Sequence, residues 1–279
     1  MNAVDRVKAE HDVVSREEWL AARKRLLTKE KELTHLHDRL CAERRELPWV
    51  RVEKRYVFEG ANGKVTLADL FDGRSQLIVQ HFMFGPGWQE GCVGCSFLAD
   101  HIESALVHIE HHDVSFVAVS RAPFPEIEAF RQRMGWRFRW VSSNDNDFNY
   151  DYQVSCRKED LAQGKAYYNY EVFESEMEEL PGTSVFYRDT SGALFHTYSA
   201  YARGDEPVLT TYALLDMTPK GRNEIGPNFN LTDWVRHHDR YGDKGLVDST
   251  GRFVAARGSS VEPLEQRDDA RIHQGVQAC

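Results

Sequence analysis

Two cysteines separated by two residues, Cys92 and Cys95, are the side chains whose type and spacing most directly indicate chemistry. They follow a glycine-rich loop at 85–87 and precede a segment with helical apolar periodicity. The first turn of a helix has unpaired amides and a partial positive charge, so a thiol there can have a pKa below the usual value of about 8.5. The second sulfur then lies about one turn away, within reach of a disulfide. We predict a dithiol in which Cys92, the more exposed residue, attacks a substrate disulfide and Cys95 resolves the mixed disulfide.

A zinc site is the main competing interpretation of the same cysteines. Cys92, Cys95, His108 and His112 have the spacing of a two-Cys, two-His zinc finger. However, the apolar stripe over 98–109 predicts one unbroken helix, which would hold Cys95 and His108 roughly 20 Å apart at about 1.5 Å per residue. Zinc–ligand bonds are only about 2.0–2.3 Å long. We therefore expect no metal and no other cofactor at the cysteine pair.

The other cysteines and the overall composition narrow the class of protein. Cys41, Cys156 and Cys279 complete an odd, sparse set of five, which is a poor disulfide framework. A formal charge of −9 argues against a nucleic-acid partner, and 41% hydrophobic residues provide a normal core. The sequence has neither an apolar run long enough to span a membrane nor an apolar N-terminal signal. These features predict a cytoplasmic protein.

The N-terminal segment 1–48 reads as a helical arm. Ser15 and Glu18 have the spacing of a capping box, which predicts a helix that continues to about Leu47, before a proline. Lys29 and Glu43 interrupt the second row of apolar residues that a free coiled coil would need beside its heptad leucines. We predict that the arm lies on its own domain or pairs with a second subunit in a homodimer. The heptad repeat that supports this prediction consists of Trp19, Leu26, Leu33, Leu40 and Leu47.

The segment 49–243 has the rhythm of an α/β domain. Apolar strands at 77–84, 114–120 and 138–141 alternate with helical patterns after Cys92 and at 123–134, which predicts a parallel sheet with helical crossovers. The remaining predicted elements are a hairpin at 51–59 and 64–67, a short helix at 69–73, an insertion at about 144–179, a second hairpin at 184–189 and 193–198, a helix at 207–215, and a polar tail at 244–279 whose last 25 or so residues are loosely ordered.

Several of these segments together resemble the bacterial family known as domain of unknown function 899 (DUF899), over roughly residues 15–243. That family is grouped with thioredoxin-like proteins and described as predicted dithiol-disulfide oxidoreductases. The resemblance therefore implies a thioredoxin-like three-layer sandwich with the helical arm before it and the insertion before the C-terminal hairpin. The matching segments are 75–85 (SQLIVQHFMFG), 91–100 (GCVGCSFLAD), 142–143 (SS), 147–149 (DFN), 181–189 (PGTSVFYRD), 215–216 (LD), 219–222 (PKGR) and 234–239 (WVRHHD).

The resemblance also suggests which residues surround the thiols. The tryptophan that precedes the first cysteine in thioredoxins is replaced here by Trp88, four residues earlier, and with Pro86 it is expected to shape a substrate groove. Thioredoxins have a cis-proline before the strand facing their cysteines. Pro181 is the candidate for that place, and Thr183 is the alternative, as in peroxiredoxins. His81 is on the strand that leads to the cysteine loop, so we expect it to tune a thiolate.

Three functions remain open at this level. The first is a thiol-disulfide oxidoreductase acting on a disulfide-containing protein or a small thiol or disulfide. The second is a thiol peroxidase in which Cys92 is oxidised and Cys95 condenses on it. Peroxiredoxins, however, place a proline seven residues before the reactive cysteine, with a hydroxyl side chain between them, whereas Pro86 is six residues before Cys92 and Gln89 is no hydroxyl residue. The third is a thioredoxin-like scaffold that binds a partner through the aromatic segment 167–170.

Overall fold

A computed structural model of the chain describes residues 11–173, 177–222, 234–242, 245–247 and 252–255. The α-helices in this part are α1 Arg16–Arg45, α2 Val93–His111, α3 Phe124–Arg133, α4 Phe148–Asp151, α5 Lys158–Ala162 and α6 Thr210–Leu215. Two 3₁₀ helices accompany them, Ala68–Phe71 and Ala202–Val208. The strands are β1 Val50–Arg51, β2 Val57–Gly60, β3 Gly63–Thr66, β4 Gln76–His81, β5 Val114–Ser120, β6 Arg139–Ser142, β7 Ala166–Tyr168, β8 Glu171–Phe173, β9 Gly182–Arg188, β10 Leu194–Tyr201, β11 Gly245–Val247 and β12 Phe253–Ala255.

Most of the strands form one eight-stranded sheet with the order β1-β10-β9-β4-β5-β6-β2-β3. β4, β5 and β6 are parallel neighbours joined by α2 and α3, as the alternation of strand and helix patterns predicts. On the other side of β4, the hairpin of β9 and β10 pairs antiparallel to it. A βαβ unit extended in this way by an antiparallel hairpin is the thioredoxin-like arrangement, so the predicted fold is confirmed.

The two faces of the sheet are covered differently. On one face, α2 and α3 pack over β4 and β5 in a cluster that includes Phe82, Phe130 and both cysteines of the pair. On the other face, the 3₁₀ helix Ala68–Phe71 and the short α4 cover Leu77 and Val79. The sandwich thus has a thick helical layer on the cysteine side and a thin one opposite. Successive residues of a strand point to opposite faces, so this division decides which strand residues reach the thiols.

α1 begins at the predicted capping box but does not lie on its own domain. The amide of Glu18 donates to Ser15 Oγ at 3.2 Å, and the amide of Ser15 donates to the Glu18 carboxylate at 2.9 Å. None of the residues of α1 is buried, and Leu33 is 67% exposed. Arg44, whose guanidinium lies over the Tyr198 ring at 4.7 Å, joins the end of the helix to the sheet. The prediction that the arm covers its own domain is therefore wrong.

Three other predictions are refined by the structure. The first predicted hairpin consists of β2 and β3, whereas β1 pairs with β10. The insertion contains α4, α5 and a separate hairpin of β7 and β8. The predicted helix at 207–215 is divided into a 3₁₀ helix that contains Pro207 and the following α6. In the tail, β11 and β12 pair antiparallel, and the rest of 244–279, including nearly all of its last 25 residues, lies outside the described residues.

Candidate active site

The loop before α2 is tied to the end of β4 and places Cys92 at the N-cap of the helix. The Cys92 amide donates to the carbonyl oxygen of Met83 at 2.9 Å. Its own carbonyl accepts hydrogen bonds from the Ser96 amide at 3.0 Å and from Ser96 Oγ at 2.8 Å. Because α2 starts at Val93, the Cys92 side chain is next to the unpaired amides of the first turn. This is the position that the sequence predicts for a stabilised thiolate.

The two thiols of the pair are electrostatically coupled. The Met83 amide donates to Cys95 Sγ at 3.4 Å. Burial raises the pKa of the Cys95 thiol well above its usual value, and the hydrogen bond to Cys92 and the charge of Cys92 raise it further. Cys95 therefore keeps its proton at neutral pH and offers it to the sulfur of Cys92.

Both cysteines are buried, contrary to the expectation that Cys92 would be the more exposed. Cys92 is 6% and Cys95 is 5% accessible. The reason is the close approach of the cysteine loop to the helical layer. A Cβ added at Gly91 would lie 2.6 Å from Phe82 and 2.9 Å from Phe130, so only glycine lets the loop come this close. The accessibility of the thiols is thus limited by packing on both sides of the loop.

Three polar side chains lie beneath Cys95, on the side of the sheet that carries α2. We call this group, Gln80, Thr183 and Asp205, the polar floor. Gln80 Nε2 donates to the carbonyl oxygen of Cys95 at 2.9 Å. Gln80 is directly opposite Thr183 in the register of β4 and β9, so the two side chains share this face. Thr183 hydrogen-bonds Asp205, which is in the 3₁₀ helix after β10. The floor therefore consists of groups from three separate parts of the chain.

Asp205 is the titratable member of this floor. Burial raises the pKa of its carboxyl to about 7, although the hydrogen bond from Thr183 opposes the shift. The charge of Asp205 also raises the pKa of Cys95, which shows that the two groups are electrostatically coupled. Sequence reasoning missed Asp205 and Gln80. The glutamine within the apolar strand was an available signal, whereas nothing in the sequence near Asp205 indicates that the fold brings it to a thiol.

The segment that begins at Pro181 leads into β9, where Thr183 is opposite Gln80. Tyr168 donates its phenolic hydrogen to the Pro181 carbonyl at 2.7 Å and accepts one from the Ala202 amide at 2.8 Å. Burial raises the pKa of Tyr168, and the charges of Asp205 and Cys95 act in the same direction. The described residues contain no cis peptide bond, so Pro181 does not have the predicted cis geometry. Tyr168 belongs to the aromatic segment 167–170, and here it holds the insertion against the thiol site.

The predicted groove residues of the cysteine loop lie at its rim. Pro86 is exposed at the tip of the loop. Trp88 is half-buried and packs against the cluster that contains both cysteines. The guanidinium of Arg252 lies over its ring, 4.0 Å from the centroid. Trp88 therefore packs on the cluster that contains the pair, whereas Pro86 faces solvent.

Comparisons with known proteins identify the family. The family described as "Bacterial protein of unknown function (DUF899)" matches residues 8–241. The chain belongs to the DUF899 family. A search of curated proteins found no match.

Solved structures of peroxiredoxins are among those similar to this chain. A PrxQ mutant of Xylella fastidiosa has 15% identity and a TM-score of 0.36, covering 57% of this chain and 88% of that one. Peroxidoxin BcpB from Mycobacterium tuberculosis has 12% identity and a TM-score of 0.40, covering 59% and 95%. The mitochondrial 2-cys peroxiredoxin from Plasmodium falciparum has 15% identity and a TM-score of 0.35, covering 58% and 88%. These distant similarities carry no argument about activity, which rests on the geometry of the site.

His81 of this DUF899 protein lies on the wrong face to tune the thiols. It hydrogen-bonds Ser184 at 2.7 Å, and its ring packs against Phe148 and Tyr152 at 5.6 and 6.0 Å. These contacts belong to the thin layer, whereas the neighbouring Gln80 reaches α2. Burial lowers the pKa of His81 to about 3, so its imidazole is neutral. The prediction that His81 tunes a thiolate is corrected, because the pleat of β4 points it away from the pair.

A buried ion pair joins the insertion of this DUF899 protein to the cysteine loop. Arg121 Nη1 and Glu179 Oε1 are 2.6 Å apart, and Ser155 Oγ donates to the same carboxylate at 2.8 Å. Burial raises the pKa of Glu179 to about 7, although Arg121 opposes the shift. A Cβ added at Gly85 would lie 3.1 Å from Glu179 Cγ, which brings the pair against the start of the loop. We assign it a structural role in holding that loop.

Neither a metal site nor a membrane span is found in the described part of this DUF899 chain. No three of its His, Cys, Asp or Glu side chains are grouped as metal ligands would be. α2 continues unbroken from Val93 to His111, which keeps Cys95 and His108 near its opposite ends. None of the described helices has the length and apolar character needed to cross a membrane.

Proposed function

We propose that this protein is a thiol-disulfide oxidoreductase that uses Cys92 as nucleophile and Cys95 as resolving thiol. The observation that carries the proposal is the coupling of the two thiols at the start of α2, where the protonated Cys95 and the helix N-terminus both favour a Cys92 thiolate. We take the cytoplasm as the compartment, because thiols are kept reduced there.

The proposed reaction transfers two electrons in two exchange steps. The Cys92 thiolate attacks one sulfur of a substrate disulfide, which forms a mixed disulfide and releases the other sulfur as a thiolate that takes up a proton. Cys95 then loses its proton, and its thiolate attacks the Cys92 sulfur. A Cys92–Cys95 disulfide forms, and the second substrate thiolate leaves. The substrate disulfide is reduced and the protein dithiol is oxidised, so a second dithiol must reduce the protein before the next cycle.

The second step requires a proton acceptor, and we propose Asp205. A thiol whose pKa is raised by burial ionises slowly unless a nearby base removes its proton. The pKa of Asp205 is about 7, close to the pH at which it would work, and Thr183 orients its carboxylate. Because only the ionised carboxylate can accept the proton, the rate of resolution should rise as the pH increases through about 7. Pro181 and Trp88 would border the substrate, and Thr183 would act through Asp205.

The burial of the pair points to a small substrate. Accessibilities of 6% and 5% leave little room for the disulfide of a folded protein to reach Cys92. A low-molecular-weight disulfide needs a smaller opening. The same observation supports a second candidate, a thiol peroxidase. In that reaction the Cys92 thiolate attacks one peroxide oxygen and becomes a sulfenic acid while the other oxygen leaves as water or an alcohol, and Cys95 then condenses on the sulfenic acid with loss of water.

One experiment separates these functions. The reduced protein is mixed with oxidised glutathione or with hydrogen peroxide, and mass spectrometry follows formation of the Cys92–Cys95 disulfide over time. Rapid oxidation by the disulfide supports the oxidoreductase, and rapid oxidation by peroxide alone supports the peroxidase. If the pair reacts with oxidised glutathione and with hydrogen peroxide no faster than free cysteine does, both enzymatic functions are overturned. The scaffold function would then remain. Cys156→Ser is the matched control, because Cys156 is also buried but outside the pair.

A further inference from the structure

The peptide group between Gly91 and Cys92 is held on both of its sides. Its amide belongs to Cys92 and donates to the Met83 carbonyl oxygen at 2.9 Å. Its carbonyl oxygen belongs to Gly91 and accepts a hydrogen bond from Nε2 of His237 at 2.9 Å. Because a peptide group is planar, holding its oxygen and its hydrogen also fixes the Cα of Cys92. A residue 146 positions beyond Gly91 in the chain thus helps to place the thiol that the proposed function uses.

His237 belongs to a segment, 234–240, that packs beside the first turn of α2. Val235 is fully buried in one cluster with Val93, the first residue of that helix. The imidazole of His237 is also buried, and it stands edge-on to the Phe130 ring with 5.3 Å between the ring centroids. Packing on both sides therefore holds the imidazole against the cysteine loop.

The partners of His237 select one protonation state of its ring. Nε2 faces the Gly91 carbonyl oxygen, which can only accept a hydrogen bond, so Nε2 carries a hydrogen. Nδ1 lies 3.3 Å from Nη2 of Arg133, which can only donate, so Nδ1 carries none. Burial lowers the pKa of His237, which keeps the ring neutral at pH 7. The imidazole is therefore a fixed donor to the loop.

Ion pairs hold Arg133 at the other side of this imidazole. Arg133 pairs with Glu90 of the cysteine loop at 2.6 Å and with Asp239 at 2.8 Å. These two carboxylates favour a proton on His237, whereas burial and the charge of Arg133 oppose it. Since the guanidinium is paired with both carboxylates, Nδ1 remains an acceptor. The cysteine loop, α3 and the segment 234–240 are thus joined around one neutral ring.

We infer that His237 is a positioning residue of the thiol site, which holds the peptide before Cys92 and thereby keeps the Cys92 sulfur at the start of α2. The inference rests on the proposed function, because the position of the sulfur matters only if the thiol reacts. The hydrogen bond runs to the backbone of the loop, so His237 acts through the peptide. Without this bond the peptide can turn, and the sulfur loses part of its stabilisation by the helix N-terminus.

Alkylation of Cys92 by iodoacetamide in the reduced full-length protein tests the inference. Peptide mass spectrometry reads Cys92 separately from Cys95. His237→Leu keeps an apolar side chain but removes the donor, and it should lower the alkylation rate at pH 7 about three- to tenfold. His237→Gln keeps an amide donor near the place of Nε2 and should retain most of the original rate. His238→Leu is the matched control, because His238 bonds Asp100 rather than the loop and should leave the rate unchanged.

Two outcomes of this comparison would overturn the inference. If His237→Leu and His237→Gln both alkylate at the original rate, the bond to the Gly91 carbonyl does not position the thiol. If both variants lose the rate equally, the imidazole acts only by filling space. Failure of the proposed function would appear elsewhere, as a pair that oxidised glutathione does not oxidise. The alkylation rates decide the role of His237 in either case.

The unmodified protein supplies a second measurement that does not depend on a variant folding. Nitrogen-15 nuclear magnetic resonance of the His237 ring at pH 7 should show a hydrogen on Nε2 and none on Nδ1. This pattern is the one that the Gly91 carbonyl and Arg133 select. A ring with its hydrogen on Nδ1 alone cannot donate to Gly91, and finding it would overturn the inference.

Discussion

The cysteine site and the α1 arm depart in opposite ways from the usual distribution of side chains. The site takes ionisable groups out of water, with Cys95 buried and Asp205 partly buried. The arm exposes leucines and a tryptophan, with Leu33 67% accessible. Burying an ionisable group costs stability, and so does leaving large apolar surface in water. Each region therefore has its own stability cost: the site holds ionisable groups away from water, and the arm leaves apolar side chains in water.

Replacing the two thiols should have the largest effect on activity, and it tests whether the buried cysteine site is catalytic. Cys92→Ser should lower the rate of substrate reduction at least ~1,000-fold, because the nucleophile is lost. Cys95→Ser should instead accumulate a mixed disulfide on Cys92, detected by mass spectrometry after addition of oxidised glutathione. If the two variants behaved alike, the assignment of separate roles would be wrong. Cys156→Ser should retain the original rate.

Removing Arg121 tests how strongly the stability of the fold depends on pairing the buried Glu179 carboxylate. Arg121→Met leaves Glu179 buried without its cation and should destabilise the fold by about 3–5 kcal/mol at pH 8. The pKa of Glu179 is already raised to about 7, and without Arg121 it should rise further. The loss should therefore be smaller at pH 5, where the carboxyl is protonated. Urea unfolding at both pH values measures this difference, and equal losses would contradict it.

Asp205→Asn should affect catalysis and stability in opposite directions. The variant should resolve the mixed disulfide about tenfold more slowly at pH 8, and the rise of this rate through about pH 7 should disappear. The folded pKa of Asp205 lies above its unfolded value, so the carboxyl's contribution to stability is present in acid and is lost as the pH rises through about 7. Asp205→Asn should thus melt higher than the original protein at pH 8. Asp145→Asn, at an exposed position, is the control that should change neither measurement.

The smallest effect on folding is expected on the arm. In dilute protein, Leu33→Ala should change the free energy of unfolding of the sheet domain by less than about 0.5 kcal/mol, because the side chain is exposed. Leu70→Ala, at a fully buried position, should cost about 2–5 kcal/mol. Thermal unfolding followed by tryptophan fluorescence compares them. A large loss for Leu33→Ala that persists on dilution would mean that the arm does pack on its own domain.

Sequence reasoning succeeded where the pattern that predicts an element lies within one continuous stretch of the chain. The capping box at Ser15, the helix after Cys92 and the parallel strands all follow from local periodicity. The prediction for His81 failed, because local sequence does not show to which face of the sheet a strand residue points. Asp205 was missed because the hairpin returns it to the thiols from 110 positions further along the chain than Cys95. The exposure of α1 was also outside local reasoning, since amphipathicity does not say which surface covers a helix.

The fit of Gly91 between two phenyl rings makes the position of Cys92 sensitive to a single methyl group. Gly91→Ala would force apart the loop and the helical layer, and the peptide that must move first is the one that delivers the Cys92 amide to Met83. We expect the Cys92 sulfur to lose its alignment with the start of α2 before the sheet is destabilised. We expect Gly91→Ala to keep the fold but to abolish the reactivity proposed for Cys92.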